Sequence, residues 1–304
     1  MAKQTKLYGT TETDRDMRKR IDLLTQGIKP TREMVEGSIA PLIRKLDREA
    51  TSRMAFSKEA DRHHRAIEAA TRRPEKPDPR QLEAMRAYQE AAIRSADRIR
   101  VSPPKVHPVP PQIRSGSIFI INSSPYTNRW TSGVGAAANH LVGTWSTRCK
   151  DVNHSLAGVC TFFTPVPGRF TIRFAPYMPI NYSYSMTAFQ LDFPPSFIVS
   201  RASSMGFVGS YVTAWDGSQW VEMADARNTI WDRRVSIDDH LSDSGDTAWY
   251  TPHAYFPAVG NPLTFACWAW GGVTTSTREG AFGWAVSRAA IAASVPWMVI
   301  EQMI

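Results

Sequence analysis

The sequence predicts a segregated α+β chain: an N-terminal helical hairpin or coiled-coil-like stalk, then an antiparallel β-sandwich, jelly-roll-like in strand order. Charge is the first reason. Residues 1–100 carry 23 Lys/Arg against 16 Asp/Glu, whereas residues 101–304 carry 13 against 12. Aromatic content runs the other way, since all ten tryptophans follow residue 101 and the first hundred residues hold only Tyr8, Phe56 and Tyr88. The period of the apolar residues also changes, from the 3.6 of a helix to the 2 of a strand. The change falls across "VSPPKVHPVPPQIRSGS", which has five prolines and no acid. Three units follow: a basic helical stalk or bundle over 1–100, a Pro-rich neck over 101–117 that polyproline-II geometry makes semi-rigid, and a β-sandwich head over 118–304.

Within the first unit, "TETDRDMRKRIDLLTQG" spaces Met17, Ile21 and Leu24 as one helix face and stops at Gly27. Ser38 is the expected N-cap of a second helix, which puts Pro41 in its first turn. Ile39, Leu42, Ile43 and Leu46 open its apolar stripe. A third helix starts at Asp78-Pro79, with Leu82, Met85, Gln89, Ala92, Ala96 and Ile99 along one seam. Such narrow stripes bury little area alone. Ile39, Leu42, Leu46, Leu82, Met85, Ala92, Ala96 and Ile99 are therefore the expected oligomerisation residues, whether the seam closes within one chain or between copies.

The head contains nine to eleven expected strands. "RFTIRF" alternates cleanly, and "YVTAWDGSQWVEM" is a hairpin with Asp216-Gly217 at its turn and Trp215 facing Trp220. Near the C-terminus, "GWAVSRAAIAAS" is expected as a short helix.

Candidate chemistry is sparse. "GVGAAANH" fits G-x-G-x-x-A on paper but lacks the strand and helix a dinucleotide site needs, so it is a Gly-rich loop. "CKDVNHSLAGVC" matches no structural zinc spacing; Cys149 and Cys160 can bridge only in an oxidising compartment. His63 and His64 pair with Glu59 and Glu68 at helical spacing, as solvated ion pairs do. "SIDDHLSDSGDTAW" is the one acidic stretch suited to a hard cation, and Asp239, Asp243 and Asp246 are its candidate calcium ligands. No other cofactor is expected. Trp268 and Trp270, two residues apart, share a strand face and join Trp215 and Trp220 as candidate binding residues for a glycan or a protein.

No run reaches the roughly 18 apolar residues of a membrane span, and the first residues lack the apolar core of a cleaved secretory signal. The expected setting is cytoplasmic, particle-associated or exported without a cleaved signal. The basic clusters "RDMRKR", "TRRPEK" and "IRSADRIR" are interleaved with acids or lack aromatics to stack bases, which argues against nucleic acid. The function expected is non-enzymatic: a self-associating stalk presenting a binding or packing head. The alternatives are a lectin-like, calcium-dependent carbohydrate binder, a capsid or particle protein with a jelly-roll shell, and a membrane-inserting toxin.

Overall fold

The apolar alternation after residue 117 is realised almost entirely as strand. A computed structural model describes residues 31–49, 62, 79–105, 118–122, 124–165, 168–190, 199–260, 263–280 and 283–303. Its strands are β1 (Ile118–Asn122), β2 (Asn128–Ser132), β3 (Ala137–Asn139), β4 (Thr144–Lys150), β5 (Asn153–Phe163), β6 (Gly168–Gln190) and β7 (Arg201–Trp215). They continue as β8 (Trp220–Ser236), β9 (Asp239–Tyr250), β10 (Ala254–Gly260), β11 (Thr264–Arg278), β12 (Gly283–Ser294) and β13 (Trp297–Met303). Two helices are described, α1 over 32–49 and α2 (Pro79–Asp97).

One sheet has five strands in the order β2-β5-β11-β7-β8. The other has eight and is built on β6, whose 23 residues serve two sets of neighbours. Its first half pairs with β10 and β13, and its second half with β9 and β12. The hand-over occurs at two prolines, which have no N–H to give a ladder. Pro176 pairs with Met298 of β13 and faces the break between β9 and β10. Pro179 pairs with Trp249 of β9 and faces the end of the β12 ladder. Each proline thus lies where one flanking strand is already interrupted. All ladders are antiparallel.

The sheets face each other across one core. Ile172, Phe174, Met178, Ile180 and Ile291 from one sheet meet Val159, Val208, Val212, Phe265 and Cys267 from the other. "RFTIRF" behaves as its alternation requires, with Ile172 and Phe174 fully enclosed. The Trp215–Trp220 hairpin also forms: these two residues are the last pair of the β7–β8 ladder. Asp216 Oδ1 accepts from the backbone N–H of Ser218 and Gln219, each at 2.8 Å, and Gly217 takes φ 103°.

The outer face of each sheet carries an apolar patch as well, and a helix covers each patch. Val35, Ile39 and Leu42 of α1 pack on Leu156, Phe162, Phe207, Tyr211, Trp220, Trp268 and Trp270. Gly37 permits the approach, because a Cβ there would stand 2.8 Å from Trp220 Cδ1. Ser38 fastens it: Trp268 Nε1 donates to Ser38 Oγ at 3.2 Å, and Thr213 Oγ1 donates to the Ser38 carbonyl at 2.9 Å. Beyond the apolar contact, Lys45 meets Asp225 at 2.9 Å and Glu222 at 3.2 Å. On the opposite side, Met85, Ala92, Ile93 and Ala96 of α2 pack on Phe189, Trp284 and Val286. Tyr88 adds rings 5.5 Å from Trp284 and 5.8 Å from Phe189.

Several expectations are corrected here. The described helices form no coiled-coil stalk; the chain is dominated by its two antiparallel sheets, and each helix lies on one of them. The residues expected to oligomerise are real apolar stripes with a different partner. Ile39 and Leu42 are enclosed and Leu46 partly so, against tryptophans of the same chain. Met85, Ala92 and Ala96 face Trp284, while Leu82 and Ile99 are half-buried. "GWAVSRAAIAAS" is strand β12, enclosed between β4 and β6, where its alanines suit a layer covered on both faces. Ser38 is inside α1 rather than at its start. Thr31 is the cap, its Oγ1 accepting from Met34 N–H at 3.3 Å, and Pro41 falls mid-helix, where it withholds the bond Gly37 would accept. The start of the Pro-rich stretch is fastened to the sheet, the Ser102 carbonyl accepting from Asn181 Nδ2 at 2.8 Å. The helix expected over 11–27, the His63–His64 pair and residues 106–117 of the neck lie outside the described residues.

The docking of α1 is testable through Leu42, which is fully buried. Leu42→Ala is expected to lower unfolding free energy by about 2–4 kcal/mol. It should also shift tryptophan emission to the red as water reaches Trp268 and Trp270. A free stalk would show neither change in a denaturant titration followed by fluorescence.

Candidate functional site

The four tryptophans singled out as binding residues are drawn together by the fold and then closed. Trp268 and Trp270 are both on the outer face of β11, fully buried beneath α1. Trp270 is flanked in register by Gly158 and Gly209, which leave room for its indole, and the Arg227 guanidinium stands 5.3 Å from its ring. Trp220 is buried and Trp215 half-buried, their rings 5.6 Å apart at the helix margin. Among the described side chains six tryptophans are buried, and these rings serve packing.

Asp239, Asp243 and Asp246 are not in a loop but along strand β9. At about 3.4 Å per residue, Asp239 and Asp243 are roughly 14 Å apart on one face, with Asp246 on the other. The structure does not bring them together around one ion. The turn before them is held otherwise, with Asp238 Oδ1 accepting from Gln190 N–H at 3.1 Å.

The three cysteines are free and buried. Burial pushes the Cys149 thiol up to about 12 despite the Thr275 hydroxyl hydrogen-bonded to its sulfur at 3.3 Å, and burial raises Cys160 and Cys267 as well. None is a thiolate near neutral pH. Arg288, on the outer face of β12, holds Asp151 at 2.7 Å and Asp97 of α2 at 3.2 Å, which ties helix, turn and sheet together. Arg227 likewise joins Asp225 at 2.9 Å and Glu49 at 3.4 Å. These charged clusters are docking devices.

Among the described residues, the four most exposed large hydrophobic side chains lie on the turns before, after and next to β3. Val134 is 77% exposed, Leu141 62%, Val142 59% and Val152 55%. Single exposed aliphatics are ordinary, but these four occupy three successive turns, Val134 and Val152 at one end of β4 and Leu141 and Val142 at its other end. The turns are firmly held. Gly133 and Gly135, at φ 85° and 84°, press the first turn so close that a Cβ would come 2.3 Å from the His154 oxygen and 2.6 Å from that of Arg148. Val134 is at its tip. In the second, Leu141 N–H donates to Asn139 Oδ1 at 3.0 Å, and the Gly143 carbonyl accepts from Val295 N–H at 2.7 Å. In the third, Asp151 takes φ 55° and donates its N–H to the Ser287 carbonyl at 2.8 Å.

The same edge is basic. Arg148 and Lys150 project from the outer face of β4, and no Asp or Glu occurs between Asp97 and Asp151 in the sequence. Both of those carboxylates are bound to Arg288. Burial, helped by the charge of Arg129, holds His140 below the usual imidazole range, so the fixed positive charge belongs to Arg and Lys. Sequence reasoning passed over this edge. The available signal was "SGVGAAANHLVGTW", aliphatics set between glycines in an acid-free segment.

The buried thiols make a direct check. Native protein at pH 8 should give no fast reaction with an aromatic disulfide reagent, and three equivalents after unfolding in guanidinium, read by thiolate absorbance. One fast equivalent in the native state would place a cysteine at the surface.

No protein-family model matches the chain, and no curated protein matches it. Weak likenesses to solved structures are found. A structure of the infectious bursal disease virus Gt strain aligns over 66% of this chain at 8% identity and a TM-score of 0.15, and the chain spans 41% of that protein's length. A structure titled for CBM4 aligns over 49% of this chain and 94% of its own at 12% identity and a TM-score of 0.13. The C-terminal family 22 carbohydrate binding module of Clostridium thermocellum Xyn10B aligns over 60% of this chain and 86% of its own at 14% identity and a TM-score of 0.11. At such scores the chains do not superpose as one fold, and none of them bears on function here.

Proposed function

We propose that the chain is a non-enzymatic interaction protein whose β-sandwich presents the β2–β3–β4 edge to a partner. The observation that carries this reading is the set of four exposed aliphatics on three braced turns along this edge, with Arg148 and Lys150 beside the two turns that carry Val134 and Val152. Exposed apolar side chains on rigid turns lose little conformational freedom when covered, which favours a binding role over a packing accident. The rest of the molecule supports it by elimination of surface: the aromatic outer faces are taken by α1 and α2, and Arg227 and Arg288 are committed to fastening them. Carbohydrate binding draws less support, because Trp268 and Trp270 are closed to a sugar.

An anionic, apolar dye such as anilinonaphthalene sulfonate matches the chemistry of this edge and probes it without knowledge of the partner. Native protein should enhance its fluorescence. Replacing Val134, Leu141, Val142 and Val152 together with serine should reduce the enhancement several-fold, with stability changed by no more than about 0.5 kcal/mol per site. Equal dye binding by the parent and the serine variant would remove the reading.

A further inference from the structure

We propose that the β2–β3–β4 edge docks on an anionic phospholipid surface. This rests on the interaction reading above and names the partner. Three features of the edge select the occupant. First, Val134, Leu141, Val142 and Val152 stand on convex turns, not in a groove. Protruding aliphatics enter the boundary between headgroups and acyl chains, which has no fixed shape, whereas a protein partner must supply a matching pocket for each.

Second, the Val134 and Val152 end of the edge carries exposed basic side chains. Arg148 and Lys150 are exposed, and the carboxylates that flank this stretch of sequence, Asp97 and Asp151, are already bound to Arg288. An anionic leaflet attracts such a surface over a Debye length, and the apolar tips then hold it. A second copy of the chain fits poorly, because the edge strand it would pair with, β3, is three residues long and offers almost no ladder. Nucleic acid would satisfy the arginine and lysine but gains nothing from four aliphatic tips. Bases stack on aromatic rings, and Trp130 of β2 is instead packed at the margin of the α1 cluster.

Third, the turns are pre-shaped. Gly133, Gly135, Gly143 and Asp151 hold positive φ, and the backbone bonds of the Leu141, Gly143 and Asp151 turns are made within the fold. Docking therefore needs no refolding of the edge, and no helix among the described residues is long and apolar enough to cross a membrane. The expected mode is attachment at the interface and not passage through it.

The test is co-sedimentation of the full chain with vesicles of phosphatidylcholine alone or with about 30% phosphatidylserine. The expected result is at least tenfold stronger partitioning to the anionic vesicles, weakened several-fold by 0.5 M salt. The double variants Val134→Ser/Val152→Ser and Leu141→Ser/Val142→Ser should each lose most of the binding. Arg148→Glu/Lys150→Glu should lose the preference for phosphatidylserine. Circular dichroism and melting of each variant establish that it is folded. Failure of the parent to sediment with anionic vesicles, or undiminished sedimentation of the folded variants, overturns the proposal. A dye signal that depends on the aliphatics, in protein that ignores vesicles, would sink the lipid assignment while leaving the interaction reading intact. Two other outcomes would also overturn it: a doubled mass in light scattering that the serine variants abolish, or binding of a labelled oligonucleotide that only the charge variant abolishes.

Discussion

Trp268 and Trp270 point away from the core of the sandwich, and the fold depends on what is placed over them. Both are fully buried because Ile39 and Leu42 of α1 lie across them, with Ser38 hydrogen-bonded to one indole. A sheet that is apolar on both faces is insoluble unless both are covered. The second sheet obeys the same constraint through α2, which lies over Trp284 and Val286. Burying a large aliphatic side chain contributes about 1.5–3 kcal/mol, so the stripe on α1 is a substantial share of a domain's net stability.

Long antiparallel ladders make this layering feasible. β6 holds four strands along its two edges, and its two prolines coincide with breaks in its neighbours, so few backbone groups in the centre of the sheet go unpaired. With the aromatic patches covered, the most exposed aliphatic side chains stand on turns. Along the β3 edge four strongly exposed aliphatic residues remain outside, on turns set by glycine and by Asp151 at positive φ. The interaction surface is therefore a residue of the layering: it is apolar surface that neither helix reaches.

Much of the sandwich was legible in the sequence, because a period of 2 is a local property. "RFTIRF" and the Asp216-Gly217 hairpin needed only residues a few positions apart. β12 was not legible, since "GWAVSRAAIAAS" is small and apolar at nearly every position and propensity alone favours helix. Burial between β4 and β6 decided it, and those partners are over a hundred residues distant. The acidic run at Asp239 to Asp246 reads as a loop by composition, yet pairing with β6 draws it out as strand and separates its carboxylates. The β3 edge was visible only as a glycine-rich stretch, because exposure is not encoded in any short window.

The amino-acid sequence by itself determined the elements: where strands alternate, where Asp-Gly turns a hairpin, and that residues 32–49 and Pro79–Asp97 carry one-sided apolar stripes. Only the tertiary structure decided the partners of those stripes. The sequence left open whether the helix stripe closes within the chain or between copies, and offered Trp215, Trp220, Trp268 and Trp270 as a binding face. In the fold the stripe and the tryptophan face satisfy each other, because two surfaces joined by one backbone meet at a far higher effective concentration than separate chains do. Complementary apolar surfaces within one chain are read independently in sequence, and their pairing appears only once both are placed in space.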